Sequence, residues 1–80
     1  MIEVNLILTQ FKSDKWTKVW GHGTYQGELV VFWGTLKSIN WAKYPRISIP
    51  HAVEYKLRKG YVESQIALNF TNMKFKPKSG

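Results

Sequence analysis

The chain of 80 residues has no cysteine and only five acidic side chains. The missing thiols exclude disulfide bonds, thiolate zinc sites, iron–sulfur clusters and a cysteine nucleophile. The apolar runs are too short to cross a membrane, and the opening Met1-Ile2-Glu3 lacks the basic region of a signal peptide. We therefore expect a protein of the cytoplasm, or of another intracellular compartment, that has no cofactor, no metal and no membrane attachment.

Apolar residues make up 44% of the sequence and aromatic residues 15%, which is enough for a packed core. A chain of this length has room for one small domain. We predict a single domain over residues 1–72, followed by a basic and flexible tail over residues 73–80.

Positive charge is in excess and is concentrated in the second half of the chain. Twelve Lys and Arg residues stand against five Asp and Glu residues, for a net charge of +7. Residues 41–80 hold eight of the basic residues and two of the acidic ones, a local net charge of +6. Such a field attracts polyanions. It fits a nucleic acid, an acidic protein surface, or a surface that is basic only for solubility.

Alternation of apolar and polar residues predicts strands at residues 2–9, 15–20, 29–33 and 61–71. Glycines at positions 21, 23 and 27 predict a flexible loop before the third strand. Residues 35–48 fit either a short strand or an irregular crossing segment.

A helix is predicted at about residues 50–59, because Pro50 suits its start and Gly60 its end. Its apolar face buries Val53 and Leu57, and Lys56 must extend its amine to water from the edge of that face. The predicted fold is α+β, a small twisted antiparallel sheet of four to five strands with this helix packed on one face.

The sequence contains few of the side chains that form catalytic or metal sites. His22 and His51 are the only imidazoles, which makes a metal site improbable. A Ser–His–Asp set could use Ser13 or Ser38 with His51 and Asp14, but nothing in the sequence places these residues together. We therefore expect no enzymatic activity.

Aromatic and basic residues alternate closely in the middle of the chain. Three such pairs occur within fourteen residues, namely Trp33 with Lys37, Trp41 with Lys43, and Tyr44 with Arg46. Aromatic rings stack on bases or sugars while Lys and Arg neutralise phosphates. Trp16 and Trp20 suit the core, Trp33 fits either core or surface, and Trp41 is the ring that we expect to be most exposed.

These patterns predict a non-enzymatic nucleic-acid-binding module with weak sequence specificity, for which DNA is favoured over RNA. Its expected contact residues are Trp33, Lys37, Trp41, Lys43, Arg46 and Lys59. Strand ends or single-stranded stretches suit the pattern better than a major groove, because no recognition helix is apparent. The alternative is a basic protein–protein interaction module that docks on a larger acidic partner and regulates it.

The order of features also resembles WGR domains, a family named for a Trp-Gly-Arg motif. Ser13-Asp14-Lys15-Trp16 resembles the opening of that family, and Val30-Val31-Phe32-Trp33-Gly34 resembles the strand that leads into its motif. Lys56-Leu57-Arg58-Lys59-Gly60-Tyr61 resembles the end of its helix. The resemblance covers about residues 6–62, but Thr35 stands where the family has its arginine.

The resemblance implies a small twisted antiparallel sheet with one helix. WGR domains occur in DNA-damage-responsive poly(ADP-ribose) polymerases, where they bind DNA near breaks, and in short bacterial proteins. It further implies that Trp33 packs on a nucleic-acid sugar near a strand end. Because Thr35 replaces the arginine, the charged contact that the arginine makes with the nucleic acid is either lost or made by Lys37 instead.

Overall fold

The computed structural model describes residues 2–13, 16–66, 68 and 74–75. These residues form one six-stranded sheet and one α-helix, with the sheet order β5-β1-β2-β3-β4-β6. The elements are β1 (Glu3–Ser13), β2 (Trp16–Tyr25), β3 (Glu28–Thr35), β4 (Ser38–Lys43), α1 (Ile49–Arg58), β5 (Val62–Glu63) and β6 (Lys74–Phe75). All pairings among strands β1 to β5 are antiparallel, while the two-residue β6 runs parallel to β4. The α+β prediction is confirmed.

The glycine-rich segment is a strand and not the predicted loop. Strand β2 continues through Gly21 to Tyr25, and the turn to β3 consists of Gln26 and Gly27. Both turn residues have positive φ, 53° and 82°, as the tight turn of a β-hairpin requires. A Cβ on Gly21 would overlap the carbonyl oxygen of Leu6 and the ring of Phe32. The glycine thus serves close packing within the sheet, which sequence spacing alone cannot distinguish from loop flexibility.

The segment over residues 35–48, left open between two interpretations, contains strand β4. A two-residue turn at Leu36 and Lys37 joins β4 to β3. After Pro45 a 3-10 helix over Arg46–Ser48 leads directly into α1. The short-strand interpretation is therefore confirmed, and the chain returns across one face of the sheet only after β4 ends.

The predicted last strand at residues 61–71 is much shorter than expected. Strand β5 contains only Val62–Glu63, and residues 64–66 belong to no strand. Residues 67 and 69–71 lie outside the described residues. Strand β6, at Lys74–Phe75, falls within the segment that the sequence assigned to the tail, whose other residues also lie outside the description. Strands β5 and β6 occupy opposite edges of the sheet.

Each face of the sheet carries its own hydrophobic cluster. The face opposite the helix buries Ile2, Ile7, Val19, Val30, Phe32 and Ile39, with Leu68 packed against them. The helix side buries Leu8, Trp20, Val31 and Tyr61, against which Ala52 and Val53 of α1 pack. Trp20 is thus a core residue, as predicted, while the side chain of Trp16 lies outside the description. Two clusters arise because apolar residues occupy both faces of the central strands.

Helix α1 matches its predicted position but not all of its predicted face. Ala52 and Val53 contact the sheet, whereas the Leu57 side chain is 49% exposed. Tyr61, directly after the helix, is buried in the cluster that Leu57 was expected to join. Glu54 and Arg58 face solvent and form an ion pair of 2.6 Å, in agreement with the prediction that they point outward.

The close approach at Gly21 gives a stability test. Gly21→Ala should lower the free energy of unfolding by about 1–3 kcal/mol, because a methyl group there has no space between Leu6 and Phe32. Denaturant unfolding measures the change. The control Lys12→Ala, at an exposed strand position, should stay within about 0.5 kcal/mol. Equal stability of Gly21→Ala and the unmodified protein would contradict the packing described here.

Candidate nucleic-acid interface

An open groove of about 1070 Å³ runs between α1 and the sheet. Five aromatic side chains line it, namely Trp20, Trp33, Tyr44, Tyr55 and Tyr61. Its polar lining includes Lys18, Ser48, His51 and Lys56. We call this surface the helix-side groove.

Strand alternation places the sheet residues of the groove. On β2, Lys18 and Trp20 share the face toward the helix, because residues two apart point to the same side. On β3 the same rule puts Trp33 on that face together with Val31. Trp33 is half-buried and packs at the border of the helix-side cluster. One edge of its ring is therefore fixed by the core while the rest borders the groove.

Lys56 brings a positive charge into this aromatic lining. Its side chain is half-buried, and its Nζ lies 5.1 Å from the centre of the Tyr61 ring, close enough for a cation–π interaction. Burial lowers the pKa of Lys56, and repulsion from Lys59 and Lys18 lowers it further. The fold thus brings together cations from α1, from the residue after it, and from β2.

Lys59 and Tyr55 form a second aromatic–basic pair at the rim of the groove. The Nζ of Lys59 lies 4.8 Å from the centre of the Tyr55 ring. A hydrogen bond between the two side chains lowers the pKa of the Tyr55 phenol and raises the pKa of Lys59. In contrast, burial raises the pKa of the Tyr61 phenol deeper in the groove. Lys59 therefore stays charged where solvent and a ligand can both reach it.

The described lining of the helix-side groove contains no Asp or Glu. Among the described residues, neither Lys18 nor Lys56 forms an ion pair with a carboxylate. The acidic side chains Glu28 and Glu54 are engaged elsewhere, with Lys43 and Arg58. An anion entering the groove would therefore relieve repulsion among its lysines without displacing an existing partner.

The structure separates the six residues that the sequence proposed as contacts. Trp33 lines the helix-side groove, and Lys59 stands at its rim beside Tyr55. Arg46 is exposed in the 3-10 helix that leads to α1, and Lys37 is exposed in the turn after β3. Trp41 and Lys43 lie on the opposite face, since they pair across β3 with Phe32 and Val30 of the other cluster. The six residues do not form one surface.

Trp41 is also less accessible than the sequence suggested. It is half-buried against the cluster on the face opposite the helix. Its ring is tilted at 59° to the ring of Tyr25, and the ring centres are 4.9 Å apart. The irregular segment that would have exposed Trp41 is the regular strand β4, and regular pairing turns the ring toward Phe32.

Several groove residues were not among the sequence-based candidates, above all Lys18 and Lys56. For Lys18 the available signal was its spacing of two from Trp20, which puts both side chains on one face of a strand. For Lys56 the signal was its place beside the apolar face of the helix. Neither signal shows that β2 and α1 meet, because that contact depends on tertiary packing.

The described residues contain no group of three or more His, Cys, Asp or Glu side chains that could hold a metal ion. His51 lines the helix-side groove, whereas His22 lies outside it with its ring centre 6.1 Å from that of Trp20. Burial lowers the pKa of His22, and its Nδ1 has no hydrogen-bond partner among the described residues. Asp14, one member of the Ser–His–Asp set, lies outside the described residues. In the same residues, α1 is too short to cross a membrane, and no other helix could do so.

Comparison of the chain with protein-family models, with curated proteins and with solved structures found no match. The resemblance to WGR domains therefore stays a prediction from the sequence.

The charge cluster gives a measurable titration. In NMR spectra of the lysine side chains, Lys56 should lose its proton at lower pH than Lys59, because burial and two neighbouring cations oppose its charge. Lys18→Gln should raise the pKa of Lys56 by removing one source of repulsion. Lys43→Gln, on the other side of the sheet, should leave it unchanged. Identical titration of Lys56 in the two variants would show that Lys18 does not reach it.

Proposed function

We propose that the protein is a non-enzymatic nucleic-acid-binding module that holds its ligand in the helix-side groove. Trp33 and the tyrosines of the lining contact bases or sugars, while Lys18, Lys56 and Lys59 contact phosphates. DNA is favoured over RNA, and Lys37 and Arg46 extend the positive surface beyond the groove. The observation that carries the proposal is the convergence of aromatic rings with unpaired lysines in one concave surface.

The energetics of such a surface suit a nucleic acid. Stacking of a base on an aromatic side chain contributes about 1–3 kcal/mol, and it tolerates any base because every base has a flat face. Lysines add salt-dependent attraction to the phosphates through release of counterions. An acidic protein would satisfy the lysines as well, but the row of aromatic rings favours a ligand that alternates flat groups with negative charges.

The lining also supports weak sequence specificity. Base edges are usually distinguished by Arg, Asn or Gln side chains that form two hydrogen bonds. The described lining of the groove contains none of these three residue types. Its Ser48 hydroxyl can bond with several bases and discriminates little. The ligand would therefore be selected by shape, stacking and charge.

Thr35, which stands where WGR domains have their arginine, has a lysine as its neighbour in the sheet. Thr35 pairs directly with Lys18 across β2 and β3. Lys18 thus stands next to the position where the family has its arginine. We propose that it supplies the positive charge there, although a lysine cannot reproduce the two-pronged hydrogen bonding of an arginine. From the sequence alone, Lys37 was the residue expected to replace the charge of the arginine.

Fluorescence anisotropy with a labelled DNA hairpin that carries a single-stranded tail tests the proposal. The affinity should fall roughly 40-fold between about 50 and 200 mM salt, as expected for about three phosphate contacts. In the double variant Lys18→Gln/Lys56→Gln the slope of log affinity against log salt should decrease by about 2.

The control for this experiment is Lys43→Gln, which also removes one lysine but on the opposite face of the sheet. It should change the slope little. Circular dichroism of each variant shows whether the fold is intact. Absence of binding, binding that salt does not weaken, or a larger effect of Lys43 than of Lys18 and Lys56 would contradict the proposed site.

A further inference from the structure

Lys56 differs from the exposed lysines of the chain in its surroundings. Its amine lies in the aromatic part of the helix-side groove, 5.1 Å from the centre of the Tyr61 ring. Its side chain is half-buried, and Lys18 lines the same groove. A lysine that is partly buried and lies near other cations is in an arrangement that makes an amine nucleophilic, because burial and like charges disfavour its protonated form.

We infer that Lys56 is a covalent capture site for an aldehyde carried on a phosphate ester, the group that an abasic nucleotide presents in its open-chain form. The inference rests on the proposed function, since it assumes that nucleic acid enters the groove. It adds a chemical selectivity that phosphate contacts and stacking do not provide. The missing base leaves a gap that an aromatic ring such as Trp33 can fill, while the sugar aldehyde lies within the lining that contains Lys56.

The reaction needs no oxidant, reductant or metal. The neutral Nζ of Lys56 attacks the aldehyde carbon, so that a C–N bond forms and the carbonyl electron pair moves to oxygen. Transfer of a proton from nitrogen to oxygen gives a carbinolamine. Loss of one water molecule, made of that hydroxyl group and a proton, leaves a C=N bond.

Several features of the groove favour this step at Lys56. Burial, followed by repulsion from Lys59 and Lys18, lowers the pKa of its amine and increases the neutral fraction. Lys59 has the opposite shift, because its hydrogen bond with Tyr55 raises its pKa. Two lysines three residues apart thus differ in reactivity. Lys59 and Lys18 remain available for the phosphates that flank the aldehyde.

Borohydride trapping tests the inference with a labelled oligonucleotide that contains one abasic site. The reductant converts the C=N bond to a stable amine, so a covalent complex survives a denaturing gel. Peptide mapping by mass spectrometry should place the adduct on Lys56. Lys56→Arg keeps the positive charge but cannot condense with an aldehyde, so it should remove most of the trapped complex.

The controls separate this inference from the proposed function. Lys43→Arg, on the opposite face of the sheet, should trap as well as the unmodified protein. Adducts spread over many lysines, or undiminished trapping in Lys56→Arg, would overturn the capture site even if anisotropy still shows salt-dependent binding. Loss of all binding would instead overturn the proposed function.

A second arm replaces the oligonucleotide with free deoxyribose 5-phosphate. More trapping on the abasic strand than on the free sugar phosphate supports a nucleic-acid source of the aldehyde. The reverse result would overturn that assignment. If Lys56→Arg does not fold, peptide mapping of the unmodified protein still decides which lysine reacts.

Discussion

One short helix has to cover a sheet whose longest strands, β1 and β2, are much longer than itself. The ten residues of α1 span about 15 Å, whereas the ten residues of β2 span about 33 Å. Burial of Ala52 and Val53 against Trp20 and Val31 holds the helix in place, but it cannot seal the whole face. The part of this face that the helix leaves uncovered forms the helix-side groove.

The difference in length between the helix and the strands determines which aromatic rings and which charges line the groove. Rings that a longer helix would bury, Trp33 in particular, keep one side open to the groove. Lysines from β2 and α1 are brought close together in partly desolvated positions, and the shifted pKa of Lys56 reflects both effects. A protein of 80 residues thereby has a concave surface with stacking groups and positive charge, in addition to its two cores.

The sequence predicts the fold better than the site, for physical reasons. The alternation of apolar and polar residues predicts the strands, and Pro50 and Gly60 mark the ends of the helix. Both signals are local in the sequence, so they identify the class of fold. Gly21 was misassigned because close packing and loop flexibility both favour glycine. Trp41 was misplaced because its side of the sheet depends on the register of β4 with β3. Lys18 and Lys56 come together only through the tertiary packing of α1 on β2. Aromatic–basic pairs that are close in the sequence therefore could not reveal this cluster.

Two-dimensional NMR of the indole N–H groups tests the groove most directly, because Trp33 and Trp41 report from opposite faces of the sheet. During titration with an oligothymidylate, the Trp33 indole signal should shift together with the backbone amides of Lys18 and Lys56, while the Trp41 signal stays in place. A shift confined to Trp41 and Lys43, or no shift at a concentration that saturates anisotropy, would contradict binding in the helix-side groove.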